Sequence, residues 1–429
     1  MKVAYIGGGS AYAPGVVRAF IELPDVFAGS EIALMDLDAA NLDVVRRLTT
    51  AMARSAGADL TITATTDRRE ALAGADFVLT SFRAGGFAAR ALDERIPLKY
   101  GVIGQETVGP GGFFFALRSM QVIRDLCAEM EDLCPSAWLM NYANPTNIIG
   151  EAVSCFSSVK VLALCDGGKH DAFHVAELLG YTAKEVEFFA YGLNHATWST
   201  RFTIAGEDGI EMMDAAHDRI VADPNVGNTT KRMFRLARRY GRLPNYYMQY
   251  YYYPEETVKE ASDAEMTRAE VIMSEIPRIF EHYREQAEAE HPRLLLQRGG
   301  TGFGEFAVDI IAAVATNSGR IEMINVPNRG VLPGLPAGRV AEVPCRLSNT
   351  GAAPLAQGEI PAELRGLILA LAEYQSLTAE AGWYADSREG AVRALASNPI
   401  MWRLDADRVE AMYGELAQAH REWLPPQLV

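Results

Sequence analysis

Cysteine is scarce in this 429-residue sequence, and no two cysteines lie in a Cys-x-x-Cys arrangement. Their odd number does not suit a scaffold of paired disulfides. The five are Cys127, Cys134, Cys155, Cys165 and Cys345. No basic and apolar presequence opens the chain, and no apolar run reaches the roughly 18 residues that a membrane-spanning helix needs. We therefore expect a cytoplasmic protein with reduced thiols.

Positive charge is also in short supply. The sequence has 40 Lys and Arg against 55 Asp and Glu, a formal net charge of −15. Nucleic acids and anionic membranes bind basic surfaces, so we expect neither as a partner. A small anionic substrate is compatible with this balance, because a few local cations can hold it. At 49% hydrophobic and 22% charged residues, the composition is that of a globular protein with two or three domains.

The first half of the sequence alternates short apolar runs with helical patterns. Strands are predicted at residues 2–6, 31–35, 60–64, 77–81, 137–140 and 159–164, with helices that include 40–55 and 113–133. This alternation predicts an α/β fold with a Rossmann-like, doubly wound parallel sheet. Such a sheet binds its ligands at the carboxyl ends of its strands.

After residue 198 the alternation weakens. Helices are predicted at 214–240, 261–290, 359–381 and 387–420, with short strands within 321–343. These patterns predict a mixed α+β second half. We place the domain boundary after residue 195, with a first domain of residues 1–195. Residues 196–429 would then contribute substrate, metal and subunit contacts.

A glycine-rich loop lies between the first predicted strand and the first helix. Gly7 and Gly9 allow the chain to turn and approach a pyrophosphate, with Ser10 beside them at the helix start. Tyr12 replaces the third glycine of the usual fingerprint, so the loop alone is a weak signal. Asp36 ends the second strand, where it can accept hydrogen bonds from an adenosine ribose and would favour NAD over NADP. The alternative is a glycine turn in a nucleotide-free sheet, but loop and acid together favour a dinucleotide.

Polar and glycine-rich segments follow several later strands. They are residues 83–97, 104–112, 141–145, 165–166 and 192–195. Asn144-Pro145, directly after a strand, resembles the substrate-side turn of the lactate and malate dehydrogenase sheet. Cys165 and His195 could together bind a divalent metal. Spacing alone favours structural roles for both, because a lone cysteine and a lone histidine are more often buried packing residues.

A tyrosine-rich segment spans residues 243–254, with six tyrosines between residues 246 and 253. One interpretation is an aromatic packing or subunit-contact segment. The other is that one phenol acts as a general base, its pKa lowered by a nearby metal or cation.

Together these segments resemble glycoside hydrolase family 4, the NAD- and metal-dependent glycosidases. The resemblance runs from Met1 to about Val343 and includes the glycine loop, the segments listed above and Asn325 to Gly330. It implies hydrolysis by oxidation of the sugar at C3 by NAD⁺, loss of the C2 proton to a tyrosine, elimination, addition of water and re-reduction. Beyond residue 345 the resemblance is loose.

The resemblance also implies roles for individual residues. Cys165 and His195 match the metal ligands, usually for Mn²⁺, and Asp166 matches the general acid of members that act on 6-phospho-α-glucosides. The base falls in the tyrosine segment, where Tyr247 is favoured over Tyr250. Cofactor contacts are expected from Gly7, Gly9, Ser10, Asp36 and Arg83. Substrate contacts are expected from Asn144, Arg90, Glu106, Asn194, Lys169 and Arg329.

Some positions depart from the pattern of the phospho-α-glucosidases. Cys165-Asp166 continues into Gly167-Gly168-Lys169-His170 rather than Met-Pro, Val108 stands where many members have Cys, and Arg329 occupies a turn that often holds a small or amide residue. Lys169, His170 and Arg329 could therefore bind an anion at sugar C6 other than phosphate, such as a sulfonate or a carboxylate. They could equally be solvated surface charges.

The sequence thus predicts an NAD⁺- and Mn²⁺-dependent α-glycosidase for a hexoside, with phosphate or sulfonate at C6, that forms a homodimer or homotetramer. One alternative is a 2-hydroxy-acid dehydrogenase on the same sheet, which would consume NAD⁺ stoichiometrically. Another is a neutral α-glucosidase, α-galactosidase or α-glucuronidase of the same family. A nucleotide-sensing regulator is disfavoured, because so many polar residues gather at one sheet edge.

Overall fold

The computed structural model of the protein describes residues 1–294 and 304–429. Within them, twelve strands form one sheet in the order β3-β2-β1-β4-β5-β6-β10-β11-β7-β8-β9, with β12 paired to β11. The strands are β1 Lys2–Ile6, β2 Ser30–Met35, β3 Leu60–Thr65, β4 Phe77–Thr80, β5 Trp138–Asn141, β6 Lys160–Ala163, β7 Val186–Leu193, β8 Ala196–Ile204, β9 Glu207–Asp208, β10 Ile321–Pro327, β11 Val340–Ser348 and β12 Gly351–Pro354.

Seventeen α-helices of the described residues cover and extend this sheet. They are α1 Ala13–Ile21, α2 Pro24–Phe27, α3 Ala39–Ala56, α4 Arg68–Leu72, α5 Gly86–Arg95, α6 Gly109–Leu133, α7 Thr146–Phe156, α8 Gly167–Leu178, α9 Gly209–Ala222, α10 Asn228–Tyr240, α11 Gln249–Tyr252, α12 Pro254–Asp263, α13 Arg268–Ala287, α14 Glu305–Ala315, α15 Ala362–Tyr384, α16 Arg388–Ala396 and α17 Ala406–Ala419. None of them is long and apolar enough to cross a membrane.

Strands β1 to β6 are parallel, which confirms the predicted doubly wound fold. Side chains alternate between two cores: Val3 and Tyr5 pack on one face of the sheet, and Ala4 and Ile6 on the other. The register aligns the strand ends, because Ile6 lies beside Thr80 and Thr80 beside Asn141. The residues that follow these strands therefore meet at one edge of the sheet.

Strands β7 to β12 extend the sheet in antiparallel fashion. Strand β10 runs antiparallel to β6, with Asn325 opposite Ala163, and β11 links β10 to the β7–β8 hairpin through Glu342 and Gly192. The predicted boundary after residue 195 falls in the turn of this hairpin, and the sheet continues across it. The division into two domains stays a prediction.

Three predicted helices are interrupted. The 214–240 segment forms α9 and α10, separated at Asp223-Pro224, because the residue before a proline disfavours helical geometry. The 261–290 segment breaks before Thr267, which begins α13 with a capping box to Glu270. The 387–420 segment divides into α16, a 3₁₀ turn at Pro399–Arg403 and α17.

Candidate active site

The glycine loop has the geometry of a dinucleotide cradle. Gly7 has φ +97°, and a Cβ there would lie 2.6 Å from the carbonyl oxygen of Ser81. The amide of Gly9 donates to Oδ2 of Asp36 at 3.0 Å, and a Cβ on Gly9 would lie 2.9 Å from the Asp36 side chain. Only glycine fits these positions, which leaves the backbone open for a pyrophosphate. Sequence analysis missed Tyr283, whose hydroxyl donates to the carbonyl of Ala11 at 2.7 Å and ties α13 to the loop.

Arg83, Arg90 and Glu106 form one ion-pair cluster near the loop. Oε2 of Glu106 lies 2.6 Å from Arg83 Nη2 and 2.8 Å from Arg90 Nη1, and Arg90 also donates to Glu94 at 2.6 Å. Burial would raise the pKa of Glu106, but the two guanidinium groups outweigh it and hold that pKa below its usual range. The structure thus brings these three predicted residues together.

A second cluster, formed by Arg118, Asp93 and His420, contacts the Arg83 loop. Sequence analysis did not find it. Arg118 donates to both carboxylate oxygens of Asp93 at 3.0 and 2.6 Å, and its Nε donates to the carbonyl of Ala84 beside Arg83. Nε2 of the fully buried His420 lies 2.9 Å from Asp93. The carboxy-terminal tail therefore braces the Arg83 loop. A lone histidine more than 300 residues away in sequence carries no signal of this contact.

Cys165 and His195 approach each other from two different strand ends. Cys165 follows β6, His195 lies in the turn between β7 and β8 with φ 63°, and Sγ is 3.7 Å from Nε2. Burial lowers the pKa of His195 to about 4, so the imidazole is neutral and has a free lone pair. Burial raises the pKa of the Cys165 thiol, which a bound cation would reverse. Both side chains thus suit a divalent metal.

These two residues act as a pair. Among residues 1–294 and 304–429, no group of three or more His, Cys, Asp or Glu side chains converges on one point as a metal cage would. A pair of protein ligands leaves further coordination positions open to water or substrate, as catalytic metal sites require.

Asn194 and Glu342 lie directly beneath the pair. Nδ2 of Asn194 donates to Oε2 of Glu342 at 3.0 Å, and the Asn194 side chain also hydrogen-bonds to the Cys165 thiol. Glu342 is 4% exposed, and burial raises its pKa to about 7. Sequence analysis missed Glu342. Its signal was an acidic residue inside the otherwise apolar run of β11.

Asp166 lies beside Cys165 at the start of α8, where a general acid was predicted. Its Oδ2 is 3.4 Å from Nδ1 of His170, and it also interacts with the hydroxyl of Tyr142. Asn144, which follows β5, lies at the same sheet edge, and its carbonyl accepts a hydrogen bond from Ser119 at 3.4 Å.

The tyrosine segment packs against the Cys165–His195 pair. The Tyr247 ring stacks on His195 with centroids 4.0 Å apart and planes 16° apart, while Tyr250 contacts Tyr247 edge-on at 5.9 Å. Burial and then the nearby Glu106 raise the pKa of Tyr247, and burial raises that of Tyr250 to about 12. Arg90 and Arg232 act in the opposite direction on the pKa of Tyr250, but burial outweighs them. The expected lowering of a phenol pKa would therefore need a further cation.

A cavity of about 430 Å³ opens beside these tyrosines. Its lining includes Tyr247, Tyr250, Glu106 and Arg90. This volume is within the range of small-molecule sites.

Lys169 and Arg329, two further predicted substrate contacts, have other neighbours in the structure. Nζ of Lys169 lies 3.3 Å from Glu322, so this cation is already paired. Arg329 follows the end of β10, which runs antiparallel to β6. The role of Arg329 as a substrate contact stays a prediction.

Comparison with known proteins identifies the class. The family description "Family 4 glycosyl hydrolase" matches residues 2–180, and the description of the C-terminal domain of the same family matches residues 190–401. The chain therefore belongs to family 4 of the glycosyl hydrolases and is a glycoside hydrolase. This result replaces the dehydrogenase and regulator alternatives.

The relatives span the full length of the chain. A "Probable 6-phospho-beta-glucosidase" of Bacillus subtilis (strain 168) is 35% identical over 99% of this chain and 97% of its own length. The crystal structure of a 6-phospho-alpha-glucosidase from gut microorganisms, in complex with NAD and Mn²⁺, is 27% identical with a TM-score of 0.87 and 99% coverage of both chains. A lactate dehydrogenase of Cryptosporidium parvum has a TM-score of 0.54 at 15% identity, covering 88% of this chain and 98% of its own, and shares the fold.

Proposed function

We propose that the protein is an NAD⁺- and Mn²⁺-dependent α-glycosidase for a hexoside with an anionic group at C6, phosphate or sulfonate. The observation that carries this proposal is the approach of Cys165 and His195 beneath Tyr247, at the sheet edge that holds the glycine loop. Names of relatives such as "Probable 6-phospho-beta-glucosidase" support phosphate as the first substituent to test.

The residues present fit both groups. The cradle of Gly7, Gly9, Ser10 and Asp36, with Arg83 nearby, would hold NAD⁺, and Cys165 and His195 would hold the metal. When bound, the two groups supply a hydride acceptor for C3 of the sugar and a positive charge that favours the deprotonated forms of neighbouring groups.

The protein side chains would move the protons. Tyr247 takes the C2 proton, which C3 oxidation makes acidic. After its phenol has exchanged that proton with solvent, it gives a proton back to C2 when water has added at C1. Asp166 donates a proton to the glycosidic oxygen as that oxygen leaves C1. Its contact with His170 keeps a second titratable group within reach of that carboxylate. Arg90 and Glu106 line the cavity and would bind sugar hydroxyls.

A labelling experiment tests the mechanism. With an aryl glycoside in deuterated water, we expect release of the aryl group with catalytic amounts of NAD⁺ and Mn²⁺, and deuterium at C2 of the product. Glycosidases with two catalytic carboxylates leave C2 untouched. Hydrolysis that persists after removal of both NAD⁺ and Mn²⁺, or a product without deuterium at C2, would contradict the proposal.

A substrate series tests the sugar. The set comprises 6-phospho-α-, 6-phospho-β-, 6-sulfonate-α- and unsubstituted α-glucosides with one common aryl group. We propose the α configuration because Asp166 occupies the general-acid position, so kcat/KM should be highest for one of the two anionic α-glycosides. A preference for the β-anomer or for the unsubstituted sugar would contradict that assignment. A homodimer or homotetramer in the cytoplasm stays our prediction, which light scattering and cell fractionation would check.

A further inference from the structure

Glu342 is a buried carboxylate that the proposed chemistry does not use. It is 4% exposed and accepts a hydrogen bond from Asn194 at 3.0 Å. In the described part of the chain, no Lys, Arg or His nitrogen lies within 4.0 Å of its oxygens. A buried charge without a cation is costly, so a structure that keeps one needs a reason for it.

The sheet register places Glu342 directly below the Cys165–His195 pair. Glu342 lies opposite Gly192 on one side and opposite Asn325 on the other, and Asn325 lies opposite Ala163. Cys165 comes two residues after Ala163 and Asn194 two residues after Gly192, each just past the end of its strand. The Asn194 side chain hydrogen-bonds to Glu342 and to the Cys165 thiol, and it directly precedes His195.

Charge arithmetic then links Glu342 to the metal. A metal-bound Cys165 is a thiolate, Glu342 adds a second negative charge, and His195 binds as the neutral imidazole. One divalent cation balances these two anions. The third nearby acid, Asp166, lies beside His170.

We propose that Glu342 is a positioning residue for the divalent metal. It fixes the Asn194–His195 turn through the Asn194 amide, and it contributes the second negative charge that Mn²⁺ neutralises. This inference rests on the proposed function, because it requires Mn²⁺ at Cys165 and His195.

The test uses Mn²⁺ alone as the probe, with free Mn²⁺ measured by electron paramagnetic resonance in the full-length protein. Glu342→Gln keeps an oxygen that accepts from Asn194 but removes the charge. We expect the Kd for Mn²⁺ to rise about 10- to 100-fold, the range found for partners of metal ligands. The Kd for NAD⁺ should stay unchanged. The Tm of the metal-free variant should not fall, because an uncompensated charge has been removed.

Glu151→Gln is the matched control. Glu151 is a buried carboxylate on α7 that accepts from the amide of Val340, the first residue of β11. Its change should leave the Mn²⁺ affinity as it was. If Glu342→Gln does not fold, Glu342→Asp keeps the charge but shortens the reach to Asn194, and it should still weaken Mn²⁺ binding.

Two results overturn the inference, and they differ. If Cys165→Ser abolishes Mn²⁺ binding while the Glu342 variants bind like wild type, Glu342 has no role at the metal and the proposed function stands. If Cys165→Ser binds Mn²⁺ as wild type does, the metal site itself is wrong, and the inference fails with it.

Discussion

Two pairs of buried carboxylates in this protein have opposite environments. Asp93 and Glu106 face arginines, which outweigh the effect of burial and lower the pKa of both groups. Among the described residues, no arginine or lysine acts on Glu342 or Asp171, and burial raises their pKa values to about 7 and about 8. Asp171 accepts from the amide of Tyr246 at 2.9 Å and so positions the tyrosine segment.

The first pair of carboxylates is neutralised by arginines of the protein, whereas the second pair is not. The arginine-paired cluster is balanced within the protein, so it can hold the Arg83 loop in place before any ligand binds. Glu342, close to Cys165, has no such arginine partner among the described residues. Buried charges without partners are typical of functional sites, where strain or charge is retained for a ligand.

The largest loss of activity should follow substitution of the proposed metal ligands, Cys165 and His195. Cys165→Ser and His195→Ala should each abolish hydrolysis and weaken Mn²⁺ binding, because each removes half of a two-residue site. Circular dichroism should show both variants folded. Cys155→Ser, at an exposed cysteine, is the control and should keep full activity. A ligand variant that retains wild-type Mn²⁺ affinity would make that residue structural.

Tyr247 lies between the two groups, since it stacks on His195 and its pKa responds to Glu106. Tyr247→Phe should lower kcat about 10²- to 10⁴-fold, the usual contribution of a general base. Binding of NAD⁺ and Mn²⁺ should persist, and exchange of the C2 hydrogen with solvent should slow with hydrolysis. Tyr250→Phe is the matched variant. If it loses turnover while Tyr247→Phe does not, the base is Tyr250.

A substitution at Asp93 tests the arginine-paired carboxylates, because it removes the buried ion pair with Arg118. Asp93→Asn leaves Arg118 buried without its anion, which should cost about 3–5 kcal/mol of unfolding free energy. Asp43→Asn, in an exposed pair with Arg46 and Arg47, should cost about 1 kcal/mol or less. Denaturant titration measures both. If the two changes lower the unfolding free energy equally, the buried cluster stabilises the fold no more than an exposed ion pair does.

The same pair predicts a pH dependence. Because the pKa of Asp93 is lower in the folded state, its contribution to stability is fully present above its unfolded pKa of about 4. That contribution is lost as the pH falls through the folded value. Asp93→Asn should therefore flatten the acid limb of a plot of stability against pH, while Asp43→Asn should change it little.

The smallest effect is expected at Asp36, which belongs to neither group. Asp36→Ala should narrow the preference for NAD⁺ over NADP⁺ by about 10- to 100-fold, since hydrogen bonds to charged groups contribute about 1.5–3 kcal/mol. Comparison of the two Kd values measures it, with Asp25→Ala, at an exposed acid on α2, as control. A wild type that prefers NADP⁺ would show that Asp36 does not contact the ribose.

Local sequence patterns were enough to predict the parallel half of the fold and the residues at its strand ends. Strand and helix periodicities are local, and the edge rule for parallel sheets then places Gly7, Asp36 and Cys165 together without further information. The motif resemblance indicated the family, which the comparisons confirmed. Helix ends were harder to predict. The helical pattern of residues 261–290 runs on without a visible break, yet the N-cap Thr267 starts a new helix within it.

Which residues from the second half of the sequence reach the site could be seen only in the folded structure. His195 meets Cys165 because β10 and β11 insert between β6 and the β7–β8 hairpin, a pairing that no local pattern specifies. Strand β11 brings Glu342 opposite Gly192 and within hydrogen-bonding distance of Asn194. His420 reaches Asp93 from the far end of the chain. Long-range contacts depend on strand order and direction, and these follow from packing of the whole sheet rather than from any one segment.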